Sequence, residues 1–264
     1  MPEGHTVHRN ANDFNRLFAG EAITIDSPQG RFSADAKNIN NRVLIRARAI
    51  GKQLFLEFDN ELTLRIHLGI YGKWKLHPAE EWPEVVGEVR VRFRSSKAIA
   101  ELRGPTVCEV IDDREVAVVA KRLGPDPLNP DPRGKERERF VVKVMKSKIS
   151  IGQLLMNQDV VSGIGNVYRA ELLFRAGIDP HTPGNVLPRE LIENLWLDSV
   201  KLLKVGVKTS FMITRDELFT KRPSKADRNW VYKREGQPCR RCGTNISIEI
   251  MAGRKLYWCA GCQS

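Results

Sequence analysis

Four of the five cysteines, Cys239, Cys242, Cys259 and Cys262, form two C-x2-C pairs separated by 16 residues. That spacing lets two tight turns each present two thiolates to one tetrahedral zinc ion, with the intervening chain folded as a β-hairpin. Four thiolates leave no coordination position for water, so the sequence predicts one structural Zn2+ per chain and no metal chemistry. Any function then belongs to the hairpin the metal holds. Arg254, followed by Lys255, lies near its tip and can aim a guanidinium at a phosphate. The fifth cysteine, Cys108, stands alone in a strand-like run. Such cysteine usage fits metal binding in a reducing compartment better than a disulfide framework, and it predicts a cytoplasmic protein.

Charge narrows the choice of partner. The formal net charge is +11 and the isoelectric point about 9.6, values that suit nucleic acid or an anionic membrane surface. Residues 201–264 carry 14 Lys and Arg against 5 Asp and Glu, so nearly all of the excess lies at the cysteine-bearing end. Phe211, Phe219, Trp230, Tyr232, Tyr257 and Trp258 are interleaved there, which favours an ordered nucleic-acid surface over a solvated basic tail. No apolar run approaches the roughly 20 residues of a membrane helix, and the first residues lack a basic-then-apolar signal pattern. Membrane partners are therefore not expected.

The periodicity of apolar residues divides the chain. Val7, Ala11, Phe14, Leu17 and Phe18 recur at helical spacing and predict an amphipathic helix over residues 6–19. From residue 22 to residue 112 the period falls to two, with Val43, Ile45, Ala47 and Ala49 in one run and Val89, Val91 and Phe93 in another. Further strand-like runs at 53–59, 62–68, 98–102 and 106–111 complete an antiparallel sheet, read here as a two-sheet sandwich. Pro125, Pro127, Pro130 and Pro132 then forbid a continuous helix and mark an extended connection. Helical patterns follow at 135–145, 151–157, 167–176 and 189–208. The fold class is α+β, with a β-sandwich domain over residues 1–122, a proline-rich linker over 123–134, a helical domain over 135–232 and a zinc finger over 233–264.

The start of the chain, Met1-Pro2-Glu3-Gly4, carries its own chemistry. Initiator methionine is normally removed before proline, which would leave Pro2 with a free secondary amine whose ordinary pKa is about 8. Such an amine can attack a sugar aldehyde carbon and give a charged iminium, an electron sink for elimination. The adjacent Glu3 can act as general acid toward the sugar ring and then as base.

This start, the run Gln153-Leu154-Leu155-Met156-Asn157-Gln158 leading to Gly163-Ile164-Gly165-Asn166-Val167-Tyr168-Arg169-Ala170-Glu171, and the cysteine cluster ending Tyr257-Trp258-Cys259-Ala260-Gly261-Cys262-Gln263 together resemble the formamidopyrimidine-DNA glycosylase and endonuclease VIII family. Three motifs in the right order over nearly the whole chain are hard to obtain by chance. The resemblance implies a monomeric, bifunctional glycosylase and abasic-site lyase acting on damaged double-stranded DNA, with single-stranded DNA a further candidate substrate. It also implies association with the nucleoid through DNA. The second domain would hold a helix-two-turn-helix, followed by the zinc-finger hairpin. By position it makes Pro2 the nucleophile, Glu3 the general acid/base, Lys52 a phosphate contact that assists catalysis, and Asn166 and Arg254 phosphate ligands. Ile70 and Tyr71, in Leu68-Gly69-Ile70-Tyr71-Gly72, fall where the family carries the wedge that fills the space of a flipped base. Here Gly69 stands where a bulkier void-filler is the family pattern.

The Pro-Arg-Arg-Phe-Gly-like signature of the formamidopyrimidine branch is absent from the stretch between Arg94 and Thr106. The chain therefore resembles more closely the endonuclease VIII branch, which implies a preference for oxidised pyrimidines. The competing readings are an oxidised-purine glycosylase, a catalytically silent DNA-binding protein on the same fold, and an unrelated zinc-ribbon enzyme. The last two leave Pro2-Glu3 without a role.

Overall fold

The computed structural model describes residues 2–263, and the chain divides into two compact units, Met1–Arg122 and Leu123–Ser264. In the first unit the elements run α1 (Gly4–Leu17), β1 (Ala22–Asp26), α2 (Ser33–Ile39), β2 (Arg42–Ile50), β3 (Gln53–Phe58), β4 (Leu62–His67), β5 (Lys73–Pro78), β6 (Val91–Arg94), β7 (Ala98–Arg103), β8 (Val107–Asp112) and α3 (Asp113–Lys121). All strand pairs are antiparallel, in the order β5-β7-β6-β1-β2-β3-β4-β8. The pairing is thinnest between β1 and β2, which share only the Ala22↔Val43 and Ile23↔Arg42 positions, so the sheet has two four-stranded halves. One core draws on both, with Ile23, Phe93 and Leu102 from one half and Leu54, Leu56, Leu64 and Ile66 from the other.

Helix α1 closes this core. Val7, Ala11 and Phe14 are buried on one face, and the Phe14 ring meets Trp74 and Phe93 edge-on. The helix begins at Gly4, two residues before the periodicity suggested, because Glu3 already takes the extended N-cap conformation. The alternation in β2 also changes phase. A β-bulge between Leu44 and Arg46 turns Leu44 inward and Ile45 outward before Ala47 and Ala49 return to the core. One helix, α2, interrupts the expected all-β stretch, and a second, α3, follows directly on it. The seven residues of α2 are too few for a periodic signal, and α3 starts at a capping box of Asp112 and Glu115.

The second unit contains α4 (Lys135–Met145), α5 (Ile151–Leu154), α6 (Asn166–Ala176), α7 (Arg189–Thr209) and the hairpin β9 (Ser247–Met251) and β10 (Arg254–Trp258). Helices α4, α6 and α7 pack through Phe140, Val144, Tyr168, Leu172, Trp196 and Leu203. The proline-rich segment is fastened to this unit: Gly124 N donates to Gln158 O at 2.8 Å and Ser162 N to Pro125 O at 2.9 Å. Among the described residues no helix is long and apolar enough to cross a membrane.

Candidate active site and nucleic-acid interface

In the first unit Glu3 is 0% exposed and forms the N-cap of α1, with Pro2 immediately before it. Met1 lies outside the described residues, so the expected loss of Met1 is not addressed by the structure. A helix N-terminus has a partial positive charge and free N–H groups, an environment that suits a carboxylate. His5 in the first turn is also buried, and burial, helped by positive charge that includes Arg9, pulls its pKa down to about 4. It is a neutral imidazole at physiological pH.

Lys52 occupies the two-residue turn between β2 and β3, behind Gly51 at φ +58, a conformation glycine adopts without strain. Gln53 pairs with His67 at the end of β4, so this turn and the loop 68–72 leave the sheet at the same end. His67 is half-buried beside Lys52. Burial first, then the charges of Lys52 and Arg65, lower its pKa. Helix α1 runs antiparallel to β2: Asn15 clasps both backbone groups of Ala47 at 2.7 and 2.8 Å, and Gly20 N donates to Leu44 O at 2.8 Å. The start of α1, with Pro2 and Glu3, is thereby directed toward the end of β2 that leads into Lys52.

Ile70 and Tyr71 project from the loop 68–72, Tyr71 with 83% of its surface exposed. The loop is tied down on both sides, by Gly72 N on Leu68 O and by Thr106 N on His67 O, each at 2.8 Å. Gly69 has φ +64, and a Cβ there would stand 1.8 Å from Thr106 Oγ1. Position 69 therefore cannot carry a bulky void-filler with this loop geometry, which leaves the protruding apolar surface to its two neighbours.

In the second unit Gln158 closes the turn between α5 and α6. Its amide donates to Ile164 O at 2.9 Å and its oxygen accepts from Gly163 N at 3.1 Å. Asn166 is the first residue of α6, behind Gly165 in extended conformation. Its side chain donates to Lys255 O at 2.8 Å, which joins the helix start to the hairpin. The fully buried Arg169 reinforces the joint, donating to Asn166 Oδ1 at 2.5 Å and to Met251 O at 3.0 Å. The hairpin turns through Ala252 and Gly253, both at positive φ, so that Arg254 follows at its tip. The structure thus brings Asn166 and the Arg254 strand together.

Three residues of the sequence motifs, Arg169, Glu171 and Gln263, have structural roles that the motifs alone do not assign. Glu171 is completely buried and accepts from Trp230, Val231 and Tyr232 N at 2.8 to 2.9 Å, and from the Thr214 hydroxyl. Gln263 accepts from Cys259 N and donates to Ile178 O, each at 2.9 Å. For Arg169 and Glu171 the sequence signal is a pair of opposite charges within a largely apolar helix, which is buried from Asn166 through Phe174 and so requires dedicated partners for both. His67 was likewise missed, since nothing in the sequence pairs it with Lys52.

The ligand atoms of Cys239, Cys242, Cys259 and Cys262 lie within 4.8 Å of one another, with Cys239 to Cys262 at 3.9 Å and Cys242 to Cys259 at 3.4 Å. Tetrahedral zinc with Zn–S bonds of about 2.3 Å spaces its sulfurs at about 3.8 Å, so the donor set fits one structural zinc. Cys108 is set apart in β8, where burial raises its thiol pKa to about 12 and leaves it a packing residue.

A β-sandwich followed by a helical unit that carries a turn-capped helix and a four-thiolate finger is the architecture of a zinc-finger DNA glycosylase. Residues 1–119 match the formamidopyrimidine-DNA glycosylase N-terminal domain, residues 123–217 its H2TH domain, and residues 236–264 the zinc finger found in FPG and IleRS. The chain is 44% identical over 272 residues to Endonuclease 8 1 of Mycobacterium tuberculosis and 27% identical over 270 residues to Endonuclease 8 of Escherichia coli K12, with complete coverage of both chains in each case. Its fold matches that of Lactococcus lactis formamidopyrimidine-DNA glycosylase bound to DNA containing an abasic site, with a TM-score of 0.79, 23% identity and 99% coverage of each chain. The chain belongs to the formamidopyrimidine-DNA glycosylase and endonuclease VIII family, the DNA-repair glycosylases and abasic-site lyases.

Proposed function

We propose that this protein excises oxidised bases, pyrimidines in preference, from damaged double-stranded DNA and then cleaves the strand, using Pro2 and Glu3. The observation that carries this reading is Glu3, a wholly buried carboxylate at the start of α1 and adjacent to Pro2. Once Met1 is removed, the Pro2 amine attacks C1′ of the damaged nucleotide. The bond from C1′ to the base breaks and the base departs with the bonding electrons, taking up a proton. Glu3 protonates the ring oxygen O4′, the ring opens, and C1′ becomes an iminium carbon bonded to Pro2. Loss of a C2′ proton into that electron sink expels the 3′ phosphate, and water then releases the amine.

Lys52, Asn166 and Arg254 are proposed to hold the phosphates flanking the lesion, and Ile70 and Tyr71 to fill the gap left by the extruded base. The 44% identity to a relative named Endonuclease 8 1, together with the missing arginine-phenylalanine loop, supports oxidised pyrimidines over oxidised purines. A duplex containing thymine glycol should be cut faster than one containing 8-oxoguanine, and the reverse order would assign the chain to the purine-specific reading.

The decisive variant is Glu3→Gln, which keeps the shape and removes the acid. Base excision should fall by roughly 10²–10⁴-fold, while cleavage at a pre-formed abasic site survives in part because that substrate already offers an aldehyde. Wild-type excision by the variant would remove Glu3 from the mechanism.

A further inference from the structure

The second unit holds a cavity of about 700 Å³ between the proline-rich segment and the outer side of α7, and none of its lining residues belongs to α6 or to the finger hairpin. Trp196, Leu197 and Val200 give it an apolar floor, and Leu197 is half exposed although it lies in the middle of a helix. Arg133, Arg137 and Lys204 surround that floor. On α4 and α7, Arg139 is paired with Glu136, Lys143 with Asp159, Arg189 with Glu138 and Glu193, and Lys201 with Asp216. Among the described residues, none of the three cavity cations has an ion-pair partner within 4.0 Å. The one carboxylate in the wall, Asp131, accepts from Glu136 N at 3.1 Å and Arg137 N at 3.0 Å at the start of α4, and its charge is also felt by Arg137, which leaves Arg133 and Lys204 as the freest of the three.

We propose that this cavity is a docking site for an acidic peptide segment of a partner protein, one that carries a bulky apolar side chain. The apolar residue would bury against Trp196, Leu197 and Val200, and flanking carboxylates would meet Arg133, Arg137 and Lys204. A strand of nucleic acid uses the charges but leaves the apolar floor uncovered, which is why a peptide suits the site better. Charge complementarity is sharpened by the arginines, whose planar guanidinium groups bind carboxylates in bidentate fashion.

The test is fluorescence polarisation with the full-length zinc-loaded protein and a labelled ten-residue peptide of Asp and Glu with a central Leu-Phe. Two control peptides replace Leu-Phe by Ala-Ala or every acid by Lys. Binding should be saturable, and each control peptide should bind at least tenfold more weakly. The double variant Arg133→Ala/Lys204→Ala and the separate variant Leu197→Asp, both at surface positions, should each weaken the peptide at least tenfold and leave cleavage of abasic DNA at the wild-type rate. Equal binding of the Leu-Phe and Ala-Ala peptides would overturn the proposal, as would wild-type peptide affinity in both variants. Loss of DNA affinity in the same variants, with displacement of the peptide by an oligonucleotide, would make the surface a nucleic-acid contact instead.

Discussion

Two residues of the loop 68–72 carry opposite demands. Gly69 is required by the fold: Gly69→Ala sets a Cβ against Thr106 in a left-handed conformation and should cost about 1–3 kcal/mol, read as a fall in thermal midpoint. Tyr71, exposed over most of its surface, contributes little to stability. Tyr71→Ala should therefore melt within about 0.5 kcal/mol of the parent yet process lesions in duplex DNA more slowly than lesions in single strands, where no stack needs a wedge. Equal slowing on both substrates would remove Tyr71 from the wedge. Glu171 shows the same logic in a buried setting. Glu171→Gln turns an amide N–H toward backbone donors in the 230–232 segment, leaving at least one donor unsatisfied at roughly 1–3 kcal/mol. Hydrogen exchange should accelerate at those amides first, and unchanged exchange there would contradict this role for the carboxylate.

The finger hairpin is positioned from two directions, by the four thiolates at its base and by Asn166 and Arg169 at its tip. Chelating the zinc should therefore release the hairpin and abolish specific DNA binding while the strands of the first unit stay folded, as measured by exchange protection. Retained DNA affinity in a zinc-free preparation would contradict the arrangement. Arg254→Ala, with the finger intact, should weaken binding across sequences and lower the salt slope by about one unit. At this scale the sequence was most legible where one physical signal dominated. The cysteine spacing announced the finger, and period-2 and period-3.6 patterns located most strands and the four helices of the second unit. The failures have equally specific causes. The bulge at Ile45 reverses which residues face inward without altering composition, α2 is shorter than two turns, and the capping box of α3 was present but lay directly against a strand.

Across the whole molecule the basic excess and the chemistry are separated in sequence. The residues proposed for the chemistry, Pro2, Glu3, Lys52 and the loop 68–72, come from the first 122 residues, which are nearly neutral, whereas residues 201–264 hold most of the positive charge. Such a division suits an enzyme in which one unit supplies affinity and the other the reacting groups. Pro2 and Glu3 were readable because they are adjacent in sequence. The approach of Asn166 to the hairpin was not, because it joins residues 89 positions apart through a side-chain amide and a backbone carbonyl. The atom that attacks the sugar decides the mechanism. Incubating the protein with abasic DNA and sodium borohydride should reduce an iminium to a stable covalent adduct, and peptide mapping should locate the attachment at the amine of Pro2. A version that retains Met1 should give no adduct. An adduct mapped to Lys52, or none from the processed protein, would contradict the proposed mechanism.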